Sequence, residues 1–405
     1  PLDVRVSAAG NDTSLAEIAR LMDAANQARS AYVRIADRAS RYYAPAVHTL
    51  ALASFIGWMI AGAGLHQSLV IAIAVLIITC PCALGLAVPV AQVVASGALM
   101  RAGVMVKDGS VIERLAKIDR ALLDKTGSLT LGRPTPDPVV LARLPPDEAS
   151  VALALASHSR HPLSRGLVDA LTKWGHRAAK VEHVYETPGE GVSAVWHGHM
   201  VALRRPESGT CMSTALDIAG HPTWIIPFAD RLRPNAIEAL AQLKALGVES
   251  SILSGDNGPS VAQVARETGL FAQSSASPID KLDAINVAQR AGHRVLMVGD
   301  GLNDGPALAA ADASIAPGTA SDVGRQAADL VFLGESLIAL PSAVRAARRT
   351  MRVVRQNFVL AIGYNALAVP LAIMGLVTPL LAAVAMSTSS LIVIANSLRL
   401  ARAAQ

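Results

Sequence analysis

Two stretches of the chain carry no Asp, Glu, Lys or Arg, one between Arg41 and Arg101 and the other between Arg355 and Arg399. A helix that crosses a bilayer needs about 20 predominantly apolar residues, so each gap has room for two spans. We expect them near Ala44–Leu65, Leu69–Val94, Asn357–Gly375 and Pro379–Leu398. Upstream, Asn11 to Arg41 has helical spacing behind a Thr13-Ser14 start and leads straight into the first span. Between the gaps the pattern changes to short apolar runs that end in Gly or Asp turns, each followed by a helical pattern: RALLDKTG, SSILSGDN and HRVLMVGDG. Such runs predict parallel strands of an α/β sheet with the chemistry at their carboxyl ends. Strands are expected at Ala121–Leu123 and Arg294–Val298, and residues 134–225, bounded by RPTPDP and GHPTW, read as a domain inserted into the sheet domain.

Charge adds a direction to this layout. The edges of both gaps are basic: Arg34, Arg38 and Arg41; Arg101 and Lys107; Arg345, Arg348, Arg349, Arg352 and Arg355; Arg399 and Arg402. With two spans per gap all of these edges lie on one side, which the positive-inside rule makes the cytoplasm. The net charge of +5 therefore reads as membrane topology, and aromatics at 3% leave no basic-aromatic stripe for nucleic acid. A hydrophobic share of 52% with 17% charged residues is too apolar for an ordinary soluble enzyme of 405 residues. Three cysteines, two of them in mid-span, form no disulfide framework, and Cys211 is expected to be an ordinary small residue of a soluble domain. The opening PLDVRVSA is strand-like and lacks a signal peptide, so the chain is expected to be a piece of a longer protein.

Asp124 stands at the end of a predicted strand in LDKTGSLT, where a carboxylate can act as a nucleophile on a phosphoryl group and form an aspartyl phosphate. Carboxylate and phosphate repel one another, so the reaction needs counter-charge. In MVGDGLNDGP, Asp300 can hold Mg²⁺ while Asn303 and Asp304 orient it. Lys281 in SPIDK would neutralise phosphoryl charge, and Ser254 with the amides of Gly255 and Asp256 would donate to its oxygens. Each element alone is a common turn. Together, in this order and at strand ends, they resemble the P-type ATPases, the branch of haloacid-dehalogenase-like enzymes that phosphorylate themselves from ATP.

That resemblance rests on DKTGSLT, SGD at Ser254–Asp256, PIDK at Pro278–Lys281 and VGDGLNDGPAL at Val298–Leu308. It implies that Asp124 is phosphorylated within a loop that includes Lys125 and Thr126. It also implies that Asp124, the Thr126 carbonyl and Asp300 hold Mg²⁺. Ser128 and Ser254 replace the family's usual threonines and keep the hydroxyl. Many phosphatases of the superfamily carry a second Asp where Thr126 stands, so the phosphoenzyme here should persist, as a pump requires. The implied fold is an α-helical transmembrane bundle plus an α/β, Rossmann-like phosphorylation domain with an inserted α+β nucleotide-binding domain. The expected divisions are 1–41 (actuator-domain remnant and linker), 42–100 (two membrane helices), 101–133 and 226–340 (phosphorylation domain), 134–225 (insert) and 341–405 (two membrane helices and tail).

SRHPL at Ser159–Leu163 and PGEGV at Pro188–Val192 would ordinarily be a helix start and a bend. In the heavy-metal branch of the family both line the adenine pocket, so His161, Gly189 and Gly191 are implied nucleotide contacts. The insert departs from that pattern at Ala156, where relatives have an acidic residue nearby, and at Arg204, which replaces a common glycine.

The second span contains ITCPCALG. A proline inside a span frees a carbonyl and bends the helix, and Cys80 and Cys82 place two soft ligands at that break. Small apolar filling is the plain alternative for free cysteines. Thiolates select Cu(I), Ag(I), Zn²⁺ or Cd²⁺ over Mg²⁺ or Ca²⁺. The last two spans offer Tyr364, Asn365, Met386 and Ser390 but no carboxylate, and YN with MSxSS resembles the copper(I) exporters. Interhelical hydrogen bonding is the alternative for Tyr364 and Ser390. The resemblance thus implies export of Cu⁺ driven by ATP with Mg²⁺ in a bacterial inner membrane, among membrane lipid and with a metallochaperone as a possible partner. SRHPL and MVKDGSVIERL also resemble the subgroup that supplies copper for oxidase assembly. The family's TGE motif does not occur in this sequence, so these residues alone are expected to bind ATP and phosphorylate Asp124 without sustained transport. Rival readings are a zinc or cadmium pump, a membrane-anchored phosphatase and a degenerate metal-binding membrane protein.

Overall fold

The computed structural model describes residues 34–402 apart from 81, 188, 207–211 and 257. The expected helix start at Thr13-Ser14, the strand-like opening, Pro81, Pro188 and Cys211 lie outside the described residues. Helix α1 (Arg34–Ile60) ends at an Ala61–Ala63 turn in which Gly62 has φ +84°. Helix α2 (Gly64–Ile78) follows, and α3 (Cys82–Arg101) resumes after a break at Thr79 and Cys80. The first expected span is therefore corrected: the turn falls at 61–63, inside Ala44–Leu65, because the AGAG glycines adopt backbone angles that other residues resist. The second is two helices, interrupted at the CPC segment where its proline was expected to bend it.

From α3 the chain passes within two residues into β1 (Val104–Val106), then β2 (Arg120–Leu123) and β3 (Thr130–Pro136). Helices α4 (Pro146–Ser157) and α5 (Pro162–Lys173) follow. Next come the strands β4 (Glu182–Thr187), β5 (Gly191–Trp196), β6 (His199–Arg204), β7 (Ser213–Ile218) and β8 (Trp224–Leu232). The chain continues through β9 (Glu249–Leu253), α6 (Gly258–Thr268), β10 (Phe271–Gln273), α7 (Pro278–Arg290), β11 (Val295–Val298), β12 (Ala313–Pro317) and β13 (Leu330–Phe332). It closes with α8 (Ala339–Ile373) and α9 (Pro379–Leu398).

Two sheets result. The first has the order β1-β13-β12-β11-β2-β9-β10 and is parallel except for β1, which pairs antiparallel with β13. The second, antiparallel, has the order β3-β8-β7-β6-β5-β4. Sequence boundaries at 134 and 225 fall inside β3 and β8, whose pairing forms the neck between the two sheets.

The apolar runs read as strands are buried on both faces. Ala121, Leu123, Leu296 and Val298 pack on one side with Leu340, Ala343, Val344 and Ala347 of α8 and with Ala95 and Leu99 of α3. Val295 and Met297 face the other side, against Ala307 and Leu308. The sheet core is thus continuous with two of the apolar helices. Among the described residues, two helices are long and apolar enough to cross a membrane, Ala339–Ile373 and Pro379–Ala401. Pro45–Ile60, Gly64–Ile78 and Gly85–Arg101 are shorter apolar helices.

Candidate catalytic centre and metal path

The parallel register brings the chemistry together. β2 lies between β11 and β9, with Leu123 opposite Val298 and Ile252, so the residues just beyond these strands share one edge. The Asp124 amide donates to the Val298 carbonyl at 2.8 Å, extending the ladder by one step and fixing the start of the loop. Gly127 then turns the loop with φ +75°. A Cβ there would lie 1.4 Å from Asp300 Oδ2, so the loop is seated directly under that carboxylate. Lys281 arrives from α7, whose first turn is set by a capping box. Ser277 Oγ accepts from the Asp280 amide at 3.2 Å, the Asp280 carboxylate accepts from the Ser277 amide at 2.8 Å, and Pro278 occupies the first turn.

Lys281 Nζ donates to Asp124 Oδ1 at 2.5 Å and to Asp304 Oδ1 at 2.6 Å, and all three residues are buried. Asp124, Asp300 and Asp304 each offer an oxygen within 4.8 Å of the others. Burial, reinforced by the negative charge of Asp304, pushes the Asp124 carboxyl up to about 7 despite Lys281. Burial and Asp304 likewise raise Asp300 to about 6 against the pull of Arg233 and Lys281. Burial opposes charge on Lys281, but Asp304 and Asp124 outweigh it and hold the ammonium above its ordinary range. This excess of carboxylate, aimed at one point, fits a hard oxygen-seeking dication.

The loop is latched on a second side. Lys125 Nζ, almost wholly buried, reaches Asp256 Oδ2 at 2.6 Å and Ser260 Oγ at 2.7 Å, and Thr126 Oγ1 donates to Asp256 Oδ2 at 2.7 Å. Burial raises the Asp256 carboxyl, but these two donors and the charge of Lys125 outweigh it and hold it below the usual range. Ser254 is buried beyond β9, with Oγ accepting from the Asp256 amide at 3.2 Å. Asn303 is exposed, and no hydrogen bond joins its side chain to the carboxylates. Sequence reasoning missed Ser260, Asp230 and Arg233. Thr130 Oγ1 donates to Asp230 Oδ2 at 2.5 Å, and Arg233 donates to the carbonyls of Gly127 and Ser128. The signal for the last two was available: an acidic residue and an arginine at the end of a strand, ADRLRP, just where the chain re-enters the sheet domain.

In the antiparallel sheet, His161 caps α5, its Nδ1 accepting from the Leu163 amide at 3.3 Å. Gly189 has φ +83° and Gly191 φ +138°, and a Cβ on Gly191 would lie 2.1 Å from the Leu203 carbonyl oxygen. Gly191 pairs with Arg204, whose guanidinium is drawn to Asp217.

The apolar helices place the remaining candidates. Tyr364 packs against a buried cluster that includes Ile71, Val75 and Ile78 of α2, and the Tyr364 hydroxyl and Asn365 Oδ1 are buried without a hydrogen-bond partner. Met386 and Ser390 are half-buried on α9, which packs against α2 and α3. The sulfurs of Cys80 and Cys82 face one another within bonding reach, with Cα atoms 5.5 Å apart. A metal-binding form of the pair is the reduced one, since thiolate is the ligand.

Residues 118–312 match the family model described as haloacid dehalogenase-like hydrolase. Over 99% of its length the chain is 46% identical to the nitrogen fixation protein FixI of Rhizobium meliloti (strain 1021), covering 54% of that protein. Over 98% it is 38% identical to a copper-exporting P-type ATPase of Mycobacterium tuberculosis, covering 55%. The chain spans about half the length of the curated relatives it matches. Its fold matches a crystal structure of a zinc-transporting PIB-type ATPase in the E2.Pi state with a TM-score of 0.82 and 28% identity, covering 98% of this chain and 68% of that one. The candidate centre thus lies in a haloacid dehalogenase-like domain. Over nearly its whole length the chain is similar to P-type ATPases, a PIB-type structure among them.

Gly127→Ala is expected to leave the sheets folded but to lower phosphoenzyme formation on the order of 100-fold, the scale at which a misplacement of about 1 Å acts. Acid-stable incorporation from γ-labelled ATP measures it; wild-type incorporation would show that the loop has room the geometry denies.

Proposed function

We propose that the protein takes part in ATP-driven export of copper(I), with Asp124 as the phosphorylated residue. The observation that carries the reading is the buried Lys281 bridge between Asp124 and Asp304, with Asp300 alongside. An Asp124 oxygen attacks the γ-phosphorus of ATP, the bond to the β,γ-bridging oxygen breaks, and ADP leaves. Lys281 offsets the charge of nucleophile and phosphoryl group, and the Ser254 hydroxyl with nearby amides donates to the phosphoryl oxygens. Mg²⁺, held by Asp124, Asp300 and the Thr126 carbonyl, would supply Lewis-acid charge at the phosphate. His161, Gly189 and Gly191 would hold the adenine. Thr126, committed to Asp256, supplies no second carboxylate to activate water, which favours a lasting phosphoenzyme.

For the cargo, reduced Cys80 and Cys82, with the unpartnered Tyr364 hydroxyl and Asn365 oxygen and with Met386 and Ser390, form a soft, carboxylate-free set. The relative named as a copper exporter supports the same ion. A zinc or cadmium cargo is the second reading, favoured by the zinc-transporting structural neighbour. The setting would be a bacterial inner membrane, with soluble domains in the cytoplasm and a metallochaperone delivering the ion. ATP hydrolysis by the intact protein in lipid, titrated with Cu(I) under reducing conditions and with Zn²⁺, decides between the cargoes. Stimulation by Cu(I) alone is expected; stimulation by Zn²⁺ alone would transfer the site to the divalent ion.

A further inference from the structure

Arg233 lies at the end of β8, in the neck between the two sheets, and is 3% exposed. An arginine this deep ordinarily pairs with a carboxylate. This one spends its donors mainly on backbone, with Nη2 also reaching Thr319 Oγ1 at 3.5 Å. Nε donates to the Ser128 carbonyl at 2.8 Å and Nη2 to the Gly127 carbonyl at 2.5 Å, while its own amide donates to the Leu129 carbonyl at 3.0 Å. Three successive carbonyls of the loop that begins at Asp124 are therefore held by a single residue. Nη1 reaches the Glu335 carbonyl at 3.4 Å, four residues before α8, and the guanidinium lies 5.1 Å from the centre of the Phe332 ring. Pro234, the next residue, accepts from the Leu337 amide at 3.1 Å.

We propose that Arg233 is a positioning residue that fixes the loop carrying Asp124 and clamps it to the segment that starts α8. The inference rests on the phosphoryl-transfer reading for its consequence but on geometry for its existence. Gly127 sits beneath Asp300, so a loop free to move at Gly127 would carry Asp124 and Asp300 out of register. The fork of the guanidinium suits this task, since it reaches carbonyls in different directions at once, as a lysine ammonium on one stem does not. Helix α8 runs without interruption from Ala339 to Ile373 and bears Tyr364 and Asn365, so the clamp ties the reacting loop to the helix of the proposed cargo site.

The test uses the intact protein in lipid nanodiscs with Arg233→Gln, and Arg133→Gln as control, because Arg133 also meets Glu335 but does so on the surface. Hydrogen exchange without nucleotide is expected to quicken in both the 125–130 and 335–338 peptides of Arg233→Gln, and in neither for the control. Phosphoenzyme formation at saturating ATP is expected to fall about tenfold or more, with nucleotide affinity unchanged and millimolar guanidinium restoring much of it. Exchange that quickens in one segment only, or in neither, overturns the clamp, as does loss of phosphorylation without guanidinium rescue. A wild-type protein that forms no phosphoenzyme overturns the phosphoryl-transfer reading instead, and the exchange result still decides the clamp.

Discussion

Asp124→Asn is expected to abolish the phosphoenzyme and, in the magnesium-free protein, to raise thermal stability more at pH 8 than at pH 5. Loss of the phosphoenzyme follows from removing the proposed nucleophile. The stability gain follows from burial. The carboxyl of Asp124 is pushed up to about 7 by desolvation and by Asp304, whereas in the unfolded chain it titrates at the ordinary value near 3.8. A carboxyl whose folded pKa is raised binds its proton more tightly in the native state. Stability therefore falls as pH climbs from the unfolded value toward the folded one, and the full penalty is present above about 7. Asn keeps an oxygen for Lys281 and carries no charge, so the gain at pH 8 should be on the order of 2–4 kcal/mol and smaller at pH 5. Thermal unfolding of the detergent-purified protein at the two pH values measures it. A drop in stability, or a gain indifferent to pH, would sink this account.

How far the sequence reveals this centre depends on the distance over which each part acts. Asp124, Asp300 and Ser254 were legible because each follows an apolar run and precedes a glycine, so strand and turn were written side by side. Lys281 was legible as a cation in the PIDK run at Pro278–Lys281, while the capping box that aims it emerges only in the structure. Arg233 was not, because its partners Gly127 and Ser128 lie more than a hundred residues away and are backbone atoms, which carry no residue signature. Ser260 was hidden for a related reason: a serine in the first turn of a helix reads as a solvated position, yet here it meets the buried Lys125. In the apolar helices, composition located the stretches but not their interruptions. Mean hydropathy does not register that Gly62 and Gly64 adopt positive φ, so one expected span ran past its true turn. β1 escaped notice because three residues are too short for an alternating pattern; its pairing with β13 is what makes it a strand. The insert boundaries drawn at prolines missed that β3 continues through Pro134 as an edge strand, a place where a missing amide is tolerated.

Lys281→Met should also abolish phosphorylation but shift stability in the opposite direction. The side chain is replaced by one of similar length without charge, leaving the buried carboxylates of Asp124 and Asp304 facing one another with their shared ammonium gone. Removing one partner of a buried ionic group destabilises by roughly 3–5 kcal/mol, because the remaining charges keep their desolvation penalty. Lys281 has a raised folded pKa, so its contribution is fully present at every pH below the ordinary lysine value and does not itself vary between pH 5 and 8. The variant's penalty nevertheless varies. At pH 5 the Asp124 carboxyl, pushed up to about 7, can take up a proton and relieve the repulsion, whereas at pH 8 it cannot without strong cost, so the loss should be greater at pH 8. The double variant Lys281→Met with Asp124→Asn then separates charge from shape. If repulsion between carboxylates is the cause, the double variant regains much of the lost stability and remains inactive. If it stays as unstable as Lys281→Met alone, the ammonium acts through packing, and the Coulombic account of this centre fails. Thermal unfolding of the four proteins across that pH interval, alongside acid-stable phosphorylation, distinguishes the two, because Asp124→Asn and Lys281→Met are equally inactive yet are expected to lie on opposite sides of the wild type in stability.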